Sequence, residues 1–258
     1  VDVGQRGQAG GFPHLGEDGE AFLHADAAGG VHAGAVGLVK GGFIDQGGRW
    51  IVNPIFTELG DYSEGLAPAA IGGVDTEWRP GVRGYSLRVK GAKWGFIDGA
   101  GNWAILPQFD EASDFRDGLA PVCNERGEWG FIDKTGKWVI SPKFADLGAF
   151  RDGLAAAGIS SGPSKPGEFK LLKCGFIDKS GNWVINPGFS KVGDFDRGVA
   201  PAFRAKEQSG TTVSEREVVG GDWGFIDKSG HWKVPPMFSD LWGFEEGVVG
   251  AKIGSKWG

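Results

Sequence analysis

The tetrapeptide Gly-Phe-Ile-Asp occurs five times in this chain, beginning at Gly42, Gly95, Gly130, Gly175 and Gly224. The residues downstream of each copy are also fixed. Eight residues on stands Trp50, Trp103, Trp138, Trp183 or Trp232, and twelve on stands Pro54, Pro107, Pro142, Pro187 or Pro236. Fourteen on comes Phe56, Phe109, Phe144, Phe189 or Phe238, and twenty on an aromatic, Tyr62, Phe115, Phe150, Phe195 or Phe244. Glycines recur six and twenty-three residues after the first one. Self-similarity in such register demands a repeat architecture, in which each unit buries its apolar face only against its neighbours.

The repeat accounts for an odd composition. The 258 residues include 48 Gly, 18 Phe and 11 Trp, where average usage predicts about 18 glycines. Fourteen of the phenylalanines and nine of the tryptophans occupy repeat slots, so they are read as core. So aromatic a chain is no disordered linker, and a Gly excess without a three-residue period is no collagen.

Within a unit, local chemistry predicts three antiparallel strands. Trp129 to Asp133 is one, Lys137 to Ile140 the next, and Leu119 to Cys123 precedes them. Asp-x-x-Gly between the first two is a hairpin signal: the carboxylate accepts nearby backbone N–H groups and Gly takes the left-handed position. Asp45, Asp98, Asp133, Asp178 and Asp227 are therefore assigned to turns, in preference to a carboxylate ladder for a cation or sugar. Each repeat Pro, unable to donate to a ladder, is expected to end its strand. The eleven residues after it, such as 143–153, are read as a connection whose aromatics tuck under the sheet.

The signature Lys93-Trp94-Gly95-Phe96-Ile97-Asp98, with Gly101 and Trp103, resembles the WG (KWG) repeat family of bacterial proteins. The likeness covers about 42–258. It departs at the Trp before Gly, where position 41 is Gly and position 174 is Cys. The resemblance implies a β-rich repeat module in a scaffold or binding role, with no catalytic residue to carry over.

The expected fold is all-β: tandem three-stranded antiparallel repeats stacked in an open superhelical or solenoid array, the alternative being a closed six-bladed propeller-like ring. Unequal ends favour the open form. Residues 1–41 read as a degenerate N-terminal repeat or cap, and 42–258 as five repeats: 42–94, 95–129, 130–174, 175–223 and 224–258. A chain opening on Val1 reads as processed or as a fragment, and Lys256, Trp257 and Gly258 open a further unit. The compartment expected is the cell envelope or secreted fraction over the cytoplasm.

Spacing between units varies only in the hairpin joining the third strand to the next Gly-Phe. Insertions fall at about 69–92, 157–172 and 202–221, equivalent places that should share one edge of the array. They carry Trp78, Arg79, Arg83, Arg88, Lys165, Phe169, Lys170, Arg204, Lys206 and Arg216, the candidate partner-binding residues. Loop variation on a rigid scaffold is where binding usually resides, and Arg and Trp are enriched at interface hot spots. The first insertion, where Tyr85, Leu87 and Val89 alternate with polar residues, predicts a lengthened hairpin.

The chemistry-bearing patterns are weak. Gly158 to Gly162 matches Gly-x-Ser-x-Gly, but prolines at 163 and 166 come next where a nucleophile elbow needs a helix. His14, His24 and His32 fit no zinc spacing, and Cys123 and Cys174 are too few for a disulfide framework. Net charge is −6 with signs interspersed, which argues against a nucleic-acid surface. No apolar run of about 18 residues predicts a transmembrane helix. The expectation is a non-catalytic scaffold without cofactor or metal, binding a protein or polymer ligand. The alternative is a structural protein assembling end to end by strand addition at Lys256, Trp257 and Gly258.

Overall fold

The computed structural model describes residues 14–15, 21–24, 40–81, 84–160, 172–205, 220–245, 248–254 and 256–257; within 14–24, 74–90, 243–245 and 256–257 only the course of the backbone is used. No helix occurs among the described residues. Six antiparallel meanders succeed one another in chain order. The first holds β1 (His14–Leu15), β2 (Ala21–His24), β3 (Gly41–Ile44) and β4 (Trp50–Phe56). The second holds β5 (Glu58–Leu59), β6 (Ala67–Gly81), β7 (Gly84–Ile97) and β8 (Trp103–Phe109). In the third are β9 (Glu111–Ala112), β10 (Ala120–Cys123), β11 (Trp129–Ile132) and β12 (Trp138–Phe144). The fourth comprises β13 (Asp146–Arg151), β14 (Leu154–Ser160), β15 (Leu172–Ile177) and β16 (Trp183–Phe189). The fifth comprises β17 (Lys191–Val192), β18 (Val199–Ala205), β19 (Gly221–Asp227) and β20 (Trp232–Phe238). The sixth has three strands: β21 (Asp240–Glu245), β22 (Val248–Ile253) and β23 (Lys256–Trp257). The more extensive contacts between sheets join consecutive sheets, and among the described residues no strand of the first sheet pairs with one of the last.

The array is the expected tandem all-β stack, with one addition. The stretch read as a connection contains a short first strand (β5, β9, β13, β17, β21), so a complete sheet has four strands. The sheets are consequently out of phase with the sequence repeat. The second to fifth sheets each take their first two strands from the stretch after one Gly-Phe-Ile-Asp and their last two from the next copy.

The Phe-Ile pair is a consequence of the stacking. Neighbouring residues of a strand face opposite sides, and the third strand of a sheet lies between two cores. Phe96 joins the cluster containing Phe109, Phe115 and Ile132, whereas Ile97 joins the one containing Phe43 and Phe56. Phe131 and Ile132, then Phe176 and Ile177, divide in the same way. A strand buried on both faces cannot alternate apolar with polar, and full burial of each such side chain contributes about 1.5–3 kcal/mol.

The repeat Pro does not end its strand. Pro142 sits inside β12, which continues to Phe144. Trp129 pairs with Phe144 and Phe131 with Ile140, so β12 carries two extra residues there, a bulge on the outer strand. Pro is tolerated at a bulge or sheet edge because no ladder N–H is required, and it blunts that edge against further pairing. The bulge also explains the Gly after Trp. A Cβ on Gly130 would drive into the Ile140 carbonyl oxygen, and it would lie 2.9 Å from the Trp138 ring.

That Trp is less buried than its repeat position suggests. Trp50 and Trp138 remain 39% and 40% exposed, while Trp94 and Trp129, just before Gly, are buried. The half-exposed indoles open an outer strand and meet the previous sheet's Phe edge to face: Phe56–Trp103 at 5.5 Å, Phe109–Trp138 at 5.8 Å, Phe144–Trp183 at 5.6 Å and Phe189–Trp232 at 5.6 Å. One face of the ring fastens two sheets and the other meets water.

Candidate functional site

Two features of the stack depart from plain repetition: a long arm on one edge, and a cavity where turns meet.

The first insertion is a lengthened hairpin. β6 and β7 stay paired out to Gly81 and Gly84, interrupted by a register shift between Gly72 and Asp75. Beyond the shift, residues 75–81 form roughly 20 Å of two-stranded ribbon at about 3.3 Å per residue. Residues directly opposite share a face. The pairs Thr76–Val89, Trp78–Leu87 and Pro80–Tyr85 therefore lie on one side, and Asp75–Lys90, Glu77–Arg88 and Arg79–Ser86 on the other. The ribbon has one apolar and one charged face, and the charged face opposes Asp to Lys and Glu to Arg across the strands.

The candidate partner residues divide accordingly. Trp78 falls on the apolar face and Arg79 and Arg88 on the charged one. Arg204 is exposed near the end of β18, its guanidinium 5.0 Å from the centre of the Trp232 ring. Arg83, Lys165, Phe169, Lys170, Lys206, Arg216 and Gly258 lie outside the described residues. All three insertions occupy the connection between a sheet's second and third strands, which the third sheet closes in residues 124–128. Lys256 and Trp257 form β23, the outer strand of the last sheet. Ser160 is the last residue of β14 and Ser161 lies outside the described residues.

The five repeat aspartates are turn residues. Each Oδ1 accepts backbone N–H groups two and four residues on, as Asp178 does from Ser180 at 2.9 Å and Asn182 at 2.9 Å. Hydrogen bonds from Asn102 to Asp98, from Thr135 to Asp133, from Asn182 to Asp178 and from Ser229 to Asp227 lead the causes that hold these carboxyls below the usual range. Cys123 and Cys174 are buried, belong to different core clusters and form no disulfide, and burial pushes Cys174 up to about 12.

At the opposite end of the second strands, sequence reading overlooked a second turn series. Glu64-Gly65, Asp117-Gly118, Asp152-Gly153 and Arg197-Gly198 each link a first strand to a second, with positive φ at both residues. Two such residues are what a two-residue type I′ hairpin requires, and Asp-Gly is among its favoured sequences. The acidic residue also reaches the next sheet. Glu64 accepts from Gly118 N at 3.2 Å, and Asp152 from Gly198 N at 2.8 Å. A lysine just after the repeat aspartate closes the contact: Lys134 donates to Glu64 O at 2.7 Å, Lys179 to Asp117 O at 3.0 Å and Lys228 to Asp152 O at 2.6 Å. The Asp-Gly dipeptides and the Asp-Lys pairs were the readable signals.

These turns converge. Ser63 and Glu64, Arg116 and Asp117, Arg151 and Asp152, and Asp196 line one cavity of about 210 Å³, together with the buried Phe150 and Phe195. Four consecutive sheets thus meet around it. Arg151 Nε pairs with Asp194 Oδ2 at 3.2 Å. Asp196 Oδ2 is shut off from solvent and accepts no hydrogen bond, and Arg116 makes no ion pair among the described residues. No group of three His, Cys, Asp or Glu side chains able to hold a metal occurs among the described residues.

Tandem antiparallel sheets fastened by a repeated Trp-Gly strand define an all-β repeat protein. Five stretches, 42–74, 94–126, 129–159, 175–203 and 223–257, match the model of the WG containing repeat, and the chain belongs to that family. No curated protein sequence matches it. Among solved structures it is similar to the computationally designed Ika8 protein, at 11% identity over 84% of this chain and 75% of that one, with a TM-score of 0.41.

Proposed function

We propose that this chain is a non-catalytic scaffold that captures a protein or polymer ligand on the β6–β7 arm. One observation carries the reading: the register of the ribbon gathers Thr76, Trp78, Pro80, Tyr85, Leu87 and Val89 on one face. A two-stranded ribbon is marginal in water by itself, so an apolar face on it gains most from a partner. The opposite face, with its cross-strand charge pairs, supports solubility of the free arm. The stacked sheets behind it supply the rigid base. The setting in this reading is the cell envelope or the secreted fraction, which fractionation of the full-length protein checks.

Two variants test it against the same partner pull-down. Trp78→Ser with Leu87→Ser removes the apolar face; Arg79→Ala with Arg83→Ala and Arg88→Ala removes the cations. Loss of capture with the first, and a weaker effect of the second, is expected while the far-ultraviolet spectrum stays unchanged. Undiminished capture by both variants would sink the arm as the binding element.

A second reading is end-to-end self-assembly, supported by β23 (Lys256–Trp257) lying at the edge of its sheet, paired on one side with β22. An open edge templates strand addition. Light scattering after size exclusion decides it: a mass that stays monomeric across rising concentration rules the assembly out.

A further inference from the structure

We propose that the arm takes its partner by strand addition: an extended peptide segment, alternating apolar and acidic residues, pairs with the outer edge of β7 along residues 85–90. The inference rests on the arm being the binding element, and it adds how the arm binds and what it selects.

Main-chain groups come first. Among the described residues β7 pairs with β8 over 94–97 alone. Along 85–90 it therefore has β6 on one side and, among the described residues, no strand on the other. Pro80 fixes which groups face that open side. Proline has no N–H to donate, so Pro80 and Tyr85 form one of the non-hydrogen-bonded pairs of the ribbon. The alternation makes Trp78–Leu87 and Thr76–Val89 pairs of the same kind. Tyr85, Leu87 and Val89 thus turn both N–H and C=O away from β6, a row of donors and acceptors that an added strand answers. The two edges of the ribbon are not alike. Pro80 stands among the outward-turned residues of β6 and blunts that edge, whereas β7 contains no proline.

Register then sets the partner. A strand laid on β7 continues both faces of the ribbon. Its residues opposite Tyr85, Leu87 and Val89 extend the apolar face, and those opposite Ser86, Arg88 and Lys90 extend the charged one. Residues 85–90 hold Arg88 and Lys90 and no acidic residue, on a chain of net charge −6. Glu77 and Asp75 stand opposite these cations on the β6 side. On the open side, acidic residues at alternate positions of the partner supply the matching charge. Pairing with β7 of a second copy is disfavoured, because it gathers the cations of both chains on one face.

The probe is a capped, fluorescent peptide of about eight residues alternating Glu and Val, long enough to cover 85–90. Anisotropy with the full chain is expected to show binding, and a Lys-Val peptide should bind roughly tenfold more weakly or not at all. Methylating the nitrogen of every Val, or of every Glu, separates main-chain pairing from side-chain contact. Every second N–H of an added strand faces β7, so one pattern should abolish binding and the other spare it; strand direction decides which. In the protein, Leu87→Pro removes an outward N–H and should abolish binding, while Leu87→Ala keeps that N–H and most of the affinity. Arg88→Gln with Lys90→Gln should bring the two peptides level. No binding of the Glu-Val peptide, preference for the Lys-Val peptide, or binding that survives both methylation patterns overturns the proposal. The peptide series uses the unaltered protein and decides even where a variant fails to fold. If it fails while Trp78→Ser with Leu87→Ser still abolishes partner capture, strand addition falls and the arm stands; if capture also survives, the arm falls as well.

Discussion

Lys228 donates a hydrogen bond to the backbone carbonyl of Asp152 at 2.6 Å, across 76 residues of sequence. Its ammonium stands 3.9 Å from the same residue's carboxylate. Asp152 holds φ of 52°, a conformation that side chains other than Gly seldom adopt. The strain is offset because the carboxylate also caps Gly198 N of the next sheet. One residue thus makes a tight turn and fastens two sheets. Glu64 repeats the arrangement with Gly118 and Lys134.

Loss of the clamp should be felt as stability. Both partners are partly solvent-exposed, so Lys228→Met is expected to cost about 0.5–1.5 kcal/mol, somewhat above a surface ion pair because a carbonyl bond goes with it. Lys134→Met should behave alike, and the two should add, since the sites share no partner. Urea unfolding of both single variants and the double variant measures this. A double-variant loss far from the sum would show the clamps acting as one network.

Gly130 and Gly153 separate two reasons for a glycine. Gly153 has φ of 83° with nothing within 4 Å of a would-be Cβ, so Gly153→Ala should cost about 1–2 kcal/mol through backbone conformation alone. At Gly130 the new methyl meets the Ile140 carbonyl and the Trp138 ring. Gly130→Ala is therefore expected to lose at least as much, about 1–3 kcal/mol, with a changed Trp emission. Equal losses and an unaltered spectrum would mean that the bulge relaxes to admit the methyl.

Acid should loosen the hairpins. The turn aspartates have folded pKa values below their unfolded ones, so their contribution is complete above about pH 4 and is lost as pH falls through the lowered folded values. Glu64, whose desolvation is outweighed by Lys134 and Gly118, adds in the same direction. Asp98→Asn and Asp178→Asn keep an acceptor, as Asn124 does in its own turn, and remove the titration. Denaturant midpoints measured from pH 7 to pH 3 should fall less in that double variant than in the parent chain.

Cys174 should be inert in the folded protein. Its thiol is fully buried and pushed up to about 12, mainly by desolvation, so almost no thiolate exists at pH 8. Iodoacetamide should leave the native mass unchanged and add two labels in urea, Cys123 being buried as well. Rapid labelling of Cys174 in native protein, located by peptide mapping, would show that the fourth sheet opens.

The edge-to-face pairs predict an asymmetry. Phe144 is buried at the sheet junction while its partner Trp183 is only partly covered. Phe144→Ala should cost about 3–5 kcal/mol, and Trp183→Ala clearly less; calorimetric melting of the two variants compares them. A reversed order would place the junction's core on the indole.

By itself the sequence determined whatever a few neighbouring residues decide: the repeat count, the Asp-x-x-Gly hairpins, the paired apolar residues of the third strand, and the longer β6–β7 hairpin. Each rests on chemistry within a few positions along the chain. It could also have yielded the Asp-Gly turns, whose signal is equally local. Tertiary structure alone decided where a sheet begins and ends, that Pro142 sits in a bulge, and that Trp138 stays half exposed. It alone brought Ser63, Arg116, Arg151 and Asp196 to one cavity. Strand phase, edge position and convergence of turns depend on how one sheet is laid on the next. That energy is shared among contacts some 50 to 76 residues apart, and no window of neighbouring residues contains it.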